Sequence, residues 1–238
     1  MKNDRNTLKE LQNSLENIKG NLHVLEVNIP VEKQMEYFRY AEGIRRDNVN
    51  SPTVQENIRI LFSTDSSHID KKYALAFLAT SGSVDAFRAI EAYNETCSDD
   101  WAVMSLMQAR ITLESEFSDE KQIFISTGLG GKDDKLRFYA FFKSKGKRIF
   151  SDYQKKLTEK ELFYSIQNNQ GIIEEIQIQD KYFTILFLIN FHVNIKAMLD
   201  EAIDECNQYG DFINKGFTIT NVKMFSEEEI QNELSKRD

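Results

Sequence analysis

The period of the apolar residues changes once along this chain, and that change limits what the chain can fold into. Up to about residue 119 the apolar side chains recur at steps of three and four; from about residue 120 they alternate. The first spacing lines one face of a helix, and the second lines the faces of a pleated strand. An α+β protein is therefore expected: an all-α domain over residues 1–119, then a mixed domain over residues 120–238.

In the first part, Leu8, Leu11, Leu15, Ile18, Leu22 and Leu25 predict a helix over 6–27, with Pro30 ending it. Further helices are expected over about 31–46, from Pro52 to Phe62, and over 70–80, 84–93 and 101–116. Ser81-Gly82-Ser83 reads as a tight turn, and Asp99 or Asp100 can cap the helix that follows. From Lys72 to Ile90 an Ala/Leu-rich helix, a glycine turn and an Asp-led second helix follow one another. This stretch resembles a HEAT-type helical hairpin, and the likeness extends over 68–117. It implies a short helical stack of the kind whose faces bind proteins.

From Leu136 the order is strand, helix, strand, strand, helix, strand. Leu136 to Lys143 alternates, and Ile172 to Gln179 and Tyr182 to Phe191 read as a hairpin across Asp180-Lys181. Thr158 with Glu161 is a capping box for the first helix, and Arg148 to Tyr153 reads as either a short strand or an irregular lead-in. The second helix spans about 194–209, and Phe217 to Phe225 is the last strand. That order resembles the ferredoxin-like βαββαβ plan, with Ile123 to Ser126 as an extra N-terminal strand. The resemblance brings no functional motif with it. Ser226-Glu227-Glu228-Glu229 opens a short acidic helix or a frayed tail.

One strand constrains the sheet further. In Tyr182 to Phe191, Phe183, Ile185, Phe187, Ile189 and Phe191 point one way, and Tyr182, Leu186 and Leu188 point the other. A sheet with helices on one face only would keep its open face polar. The second face needs a cover, for which the helical half, a second copy or a protein partner are the candidates.

The chain is acidic, with a net charge of −8, which disfavours nucleic acid as the partner. The exception is local: Lys132 to Lys160 holds ten bases against four acids. Lys143, Lys145, Lys147 and Arg148 are the candidate RNA- or ribosome-binding residues, beside the aromatic strand Phe138 to Phe142. Thr127 to Lys135 is a glycine-rich hairpin loop, and Gly128, Gly130, Gly131 and Lys132 are the candidate anion-binding residues. Glycine frees backbone amides to cradle an anion, and the lysine adds charge. The P-loop and dinucleotide spacings are both absent. The other reading of this loop is a flexible hairpin that needs positive φ.

Three separate histidines and two lone cysteines have no metal-ligand spacing, so neither a metal nor a cofactor is expected. The N-terminus lacks an apolar leader and no window is long and apolar enough to span a membrane, which predicts a cytoplasmic protein. The leading expectation is a non-enzymatic scaffold or regulatory protein that works with a protein partner or as a homodimer.

Overall fold

The computed structural model describes residues 21–46 and 53–236. They divide into two compact units, one ending at Ser126 and the other starting at Thr127. No helix among the described residues is long and apolar enough to cross a membrane.

The first unit holds strand β1 (Asn21–Val24), helices α1 (Val31–Arg46), α2 (Val54–Phe62), α3 (His68–Ala79), α4 (Val84–Thr96) and α5 (Asp100–Phe117), and strand β2 (Gln122–Ile125). Its helices start where side chains can satisfy free backbone amides. Thr53 with Glu56 and Ser67 with Asp70 form capping boxes at α2 and α3. Ser83 caps α4, and Asp99 accepts from the Ala102 amide at 2.8 Å to cap α5. Gly82 takes φ +65° in the turn between α3 and α4. Ala74, Ala76, Ala79, Ala86 and Ala102 are almost fully buried, and such small residues let helices approach closely. The core is completed by Tyr37, Leu61, Leu75, Leu78, Ile90, Trp101 and Met104. Each large apolar side chain buried there contributes about 1.5–3 kcal/mol.

Two expectations fail at the start of this unit. Residues 21–24 are a strand and not the end of a helix, pairing in parallel with β2 from Asn21↔Gln122 to Val24↔Ile125. The rest of the expected 6–27 helix, and the break over 48–52, lie outside the described residues apart from 25–27. Pro30 opens a helix and does not close one: its carbonyl accepts from the Lys33 and Gln34 amides at the start of α1. The strand expected over Ile123 to Ser126 as an addition to the C-terminal domain runs over Gln122–Ile125, pairs with β1 and belongs to the helical unit.

The second unit is built on an antiparallel sheet of β3 (Gly131–Lys132), β4 (Lys135–Lys143), β5 (Ile172–Ile178), β6 (Tyr182–Asn190) and β7 (Thr218–Thr220). The order is β3-β4-β6-β5, and β7 also pairs with β4. Helices α6 (Asp152–Asn168) and α7 (Ile195–Asn207) follow β4 and β6, and α8 (Glu227–Ser235) ends the described chain. The β4–β6 register sets Phe138 opposite Phe187 and Phe142 opposite Phe183. The second pair stacks at 4.5 Å between ring centroids. Leu162, Ile166, Met198, Leu199 and Ile203 are among the buried residues of α6 and α7, and the Ser165 hydroxyl ties the two helices by donating to the Met198 carbonyl at 3.1 Å.

α6 begins six residues before the expected Thr158 cap. Ser151 and Gln154 form the capping box that starts it, and Thr158 lies buried inside the helix. The alternate face of the sheet is covered by the chain itself. Tyr139 and Phe141, nearly fully buried, pack with Tyr182 and Leu186 of β6 against Phe225, Ile230 and Leu234. The acidic end of the sequence is therefore a helix, capped by Ser226 and Glu229, and it lies over this face.

Candidate functional site

The glycine-rich loop is packed, and its Leu129 and Gly130 amides are engaged. The Leu129 amide donates to the Asn221 carbonyl at 3.0 Å, and the Gly130 amide to the Thr127 carbonyl at 3.1 Å. Gly130 needs its left-handed φ of +68°. Gly128 needs room: a Cβ there would stand 1.9 Å from the Val222 carbonyl oxygen. Gly131 pairs with Leu136, and Lys132 is exposed at the hairpin tip. The Arg137 guanidinium closes the loop by donating to the Leu129 carbonyl at 2.7 Å and to both carboxylate oxygens of Glu174. Those hydrogen bonds hold the Glu174 carboxyl below its ordinary range.

The basic segment is dispersed by the fold. Lys143 ends β4, Lys145 and Lys147 lie on a short 3₁₀ turn (Lys145–Lys147), and Arg148 is exposed just after it. Lys145 is ion-paired with Asp211. Lys155, on α6, is 3.0 Å from Asp180. The neighbouring rings of Phe138, Tyr139, Phe141 and Phe142 are all at most 3 % exposed, so they pack the core and do not present stacking faces.

Two of these bases do come together. Lys143 and Lys147, with Lys181 from the β5–β6 turn, line a cavity of about 270 Å³ whose other wall is α8. Lys181 and α8 are far from Lys143 in sequence, so the charge run pointed to one side of the cavity only.

In the helical unit, a cavity of about 190 Å³ is lined by Lys33, Glu36, Tyr37, His68, Lys72 and Trp101, among others. Its charges are mostly matched within it: Lys33 lies 2.5 Å from Asp100, and the Lys72 ammonium sits 4.4 Å from the Trp101 ring centroid. Two further aromatic pairs lie in the same unit. Tyr40 packs on Trp101 at 5.3 Å, and Phe62 at the end of α2 meets Tyr93 of α4 at 6.2 Å. Burial, with smaller contributions from the neighbouring Cys97 and Asp99, pushes the Tyr93 hydroxyl up to about 12.

No group of three or more potential metal ligands exists among the described residues. His23 contacts Gln122 at 2.7 Å and Glu114 at 3.2 Å. Burial pushes the Cys206 thiol up to about 12, as suits a packing residue, whereas Cys97 is exposed.

No protein-family model matches this chain, and no curated protein matches it. Among solved structures, it is similar to the crystal structure of a putative transposase from Deinococcus radiodurans R1. The two are 14 % identical, with a TM-score of 0.38, over 44 % of this chain and 92 % of that one. A likeness at this level carries no function across.

Proposed function

We propose that this chain is a non-enzymatic interaction protein, a scaffold or regulatory subunit, which engages a protein partner or a second copy of itself through the exposed apolar side chains of its helical unit. The observation that carries this reading is the exposure of large apolar side chains on α1, α2 and α3. Ile69 is 73 % exposed, Phe62 51 % and Tyr40 37 %. Clustered exposed apolar groups rimmed by charge are typical of interaction surfaces. The α3–α4 hairpin and the α5 helix packed on it fit a HEAT-type stack, and the strand order β7-β4-β6-β5 fits a ferredoxin-like sheet. Both likenesses are compatible with a binding role, though neither fold selects one.

Light scattering and site-specific photocrosslinking from position 69 test the reading, with Phe62→Glu/Ile69→Glu as the control variant. Self-association, or a discrete crosslinked protein, that the double variant abolishes is the expected result. A strict monomer whose crosslinks are indifferent to the double substitution overturns it.

A further inference from the structure

We propose that the outer edge of β5 pairs antiparallel with the same strand of a second copy of this chain, joining two sheets into one across a two-fold axis at Gln177. β5 closes one side of the sheet, and among the described residues no strand lies beyond it. This contact goes beyond the surface on the helical unit and uses none of its side chains.

The hydrogen bonds of β5 leave particular backbone groups free. The Gln179 amide donates to the Tyr182 carbonyl at 2.9 Å and closes the β5–β6 hairpin. Opposed residues of an antiparallel ladder alternate between exchanging hydrogen bonds and exchanging none. With Gln179 bonded to Tyr182, Gln177↔Thr184 is a bonded pair, whereas Ile178↔Phe183 and Ile176↔Ile185 are not. The amides and carbonyls of Ile176 and Ile178 therefore point away from β6, and no hydrogen bond to them is made among the described residues. A bulge between Ile173 and Glu175 interrupts the ladder, so the regular free edge runs from Glu175 to Gln179. Native sheets blunt such edges with lysine or proline, and Ile172–Ile178 contains neither.

Register identifies the occupant. Antiparallel pairing centred on Gln177 sets Ile176 of each copy opposite Ile178 of the other. Those are the residues with free groups, so each pair exchanges both of its hydrogen bonds. Ile176 and Ile178 lie opposite Ile185 and Phe183 and share one face of the sheet, so apolar side chains meet across the new pair. Glu175 of each copy meets Gln179 of the other and Gln177 meets itself, so no like charges are opposed. Centring on Ile176 would carry Ile178 to the bulge, and centring on Ile178 would carry Ile176 to Asp180 in the turn. Gln177 is the centre that uses both free residues.

Helix α6 points the same way. It packs against the edge strand β5. Ser165 bonds it to α7, and Phe163 lies about 160° round the helix from Ser165, on the side away from α7. That side overhangs the free edge, and Phe163 is 55 % exposed there. In the joined sheet the two copies of α6 run antiparallel on one face, either side of the two-fold, and each Phe163 is turned toward the other copy.

Residue-resolved hydrogen exchange of the full chain over a range of protein concentrations tests the proposal. The Ile176 and Ile178 amides are expected to slow at least about tenfold as concentration rises, while that of Gln177, already bonded to β6, changes little. Crosslinking tests the register in a Cys97→Ser background, which lacks the exposed thiol. Gln177→Cys places two thiols in a non-hydrogen-bonded pair with Cα atoms about 4.5 Å apart, within disulfide reach, so oxidation should link the dimer. Gln179→Cys should stay unlinked, because its two copies stand about 13 Å apart along the strands. Both results are expected to persist in Phe62→Glu/Ile69→Glu, which separates this contact from the surface on the helical unit. Exchange at Ile176 and Ile178 that ignores concentration, equal crosslinking at 177 and 179, or loss of both signals in the Phe62→Glu/Ile69→Glu variant overturns the proposal.

Discussion

Gly128→Ala is the sharpest test of how the second unit is held together. The added Cβ would stand 1.9 Å from the Val222 carbonyl oxygen and 2.7 Å from its carbon. An ordinary carbon–oxygen approach is about 3.3 Å, so the two segments must part by about 1.4 Å. Both obstacles are backbone atoms, and no rotamer change relieves them. Parting the segments also pulls on the Leu129–Asn221 hydrogen bond, now 3.0 Å long, just beyond the end of β7. Overpacking costs about 1–3 kcal/mol and a lost hydrogen bond about 1 kcal/mol. The expected destabilisation is therefore about 2–4 kcal/mol. Hydrogen exchange followed by mass spectrometry reads it locally, as faster exchange of the β4 and β7 amides by at least about thirtyfold. A loss below about 0.5 kcal/mol would mean that the loop is a pliable hairpin and that its contact with 221–222 does not hold the sheet edge.

Gly43→Ala should have the opposite sign. Gly43 lies within α1 with nothing within 4 Å of a would-be Cβ, so a gain of about 0.5–1 kcal/mol is expected, read by the fluorescence of Trp101, whose ring meets Tyr37 of α1 at 5.2 Å. Thiol titration of the native chain should find Cys97 alone, with Cys206 reacting only after unfolding; two fast thiols would refute the burial of Cys206. Glu174→Gln tests the Arg137 pair. Because the folded carboxyl titrates below its ordinary value of 4.5, its contribution is complete above that pH and disappears as pH falls through the lowered value. Wild type should thus exceed the variant by up to about 1 kcal/mol at neutral pH, and the gap should close on acidification; a gap that persists in acid would assign the difference to packing.

The helices of the first unit were legible because their signals are local. Thr53/Glu56, Ser67/Asp70 and Asp99 are caps that a short window contains, and the apolar steps between them need no distant partner. Residues 21–24 were misread for the complementary reason. Their conformation is set by pairing with residues 122–125, about a hundred positions away, and parallel pairing leaves no local turn signal. The start of α6 was misplaced because Ser151/Gln154 and Thr158/Glu161 both satisfy the capping pattern. Burial decides between them, since Thr158 is 1 % exposed and packed within the helix.

The two-faced strand β6 shows where residue patterning stops being informative. Alternation alone established that both faces are apolar, but the cover could not be identified, because α8 is nine residues long and offers only Ile230 and Leu234 as apolar contacts. Two residues do not make a periodicity. The same limit applied to the charge run. Lys143, Lys145 and Lys147 are equivalent in sequence, yet Asp211 occupies Lys145 while Lys143 and Lys147 face a cavity whose third lysine comes from the next turn and whose far wall is α8. One short helix therefore closes both questions: it covers the apolar face of the sheet and it walls the lysine cavity. The cavity is a product of that packing, and no contiguous stretch of sequence contains it.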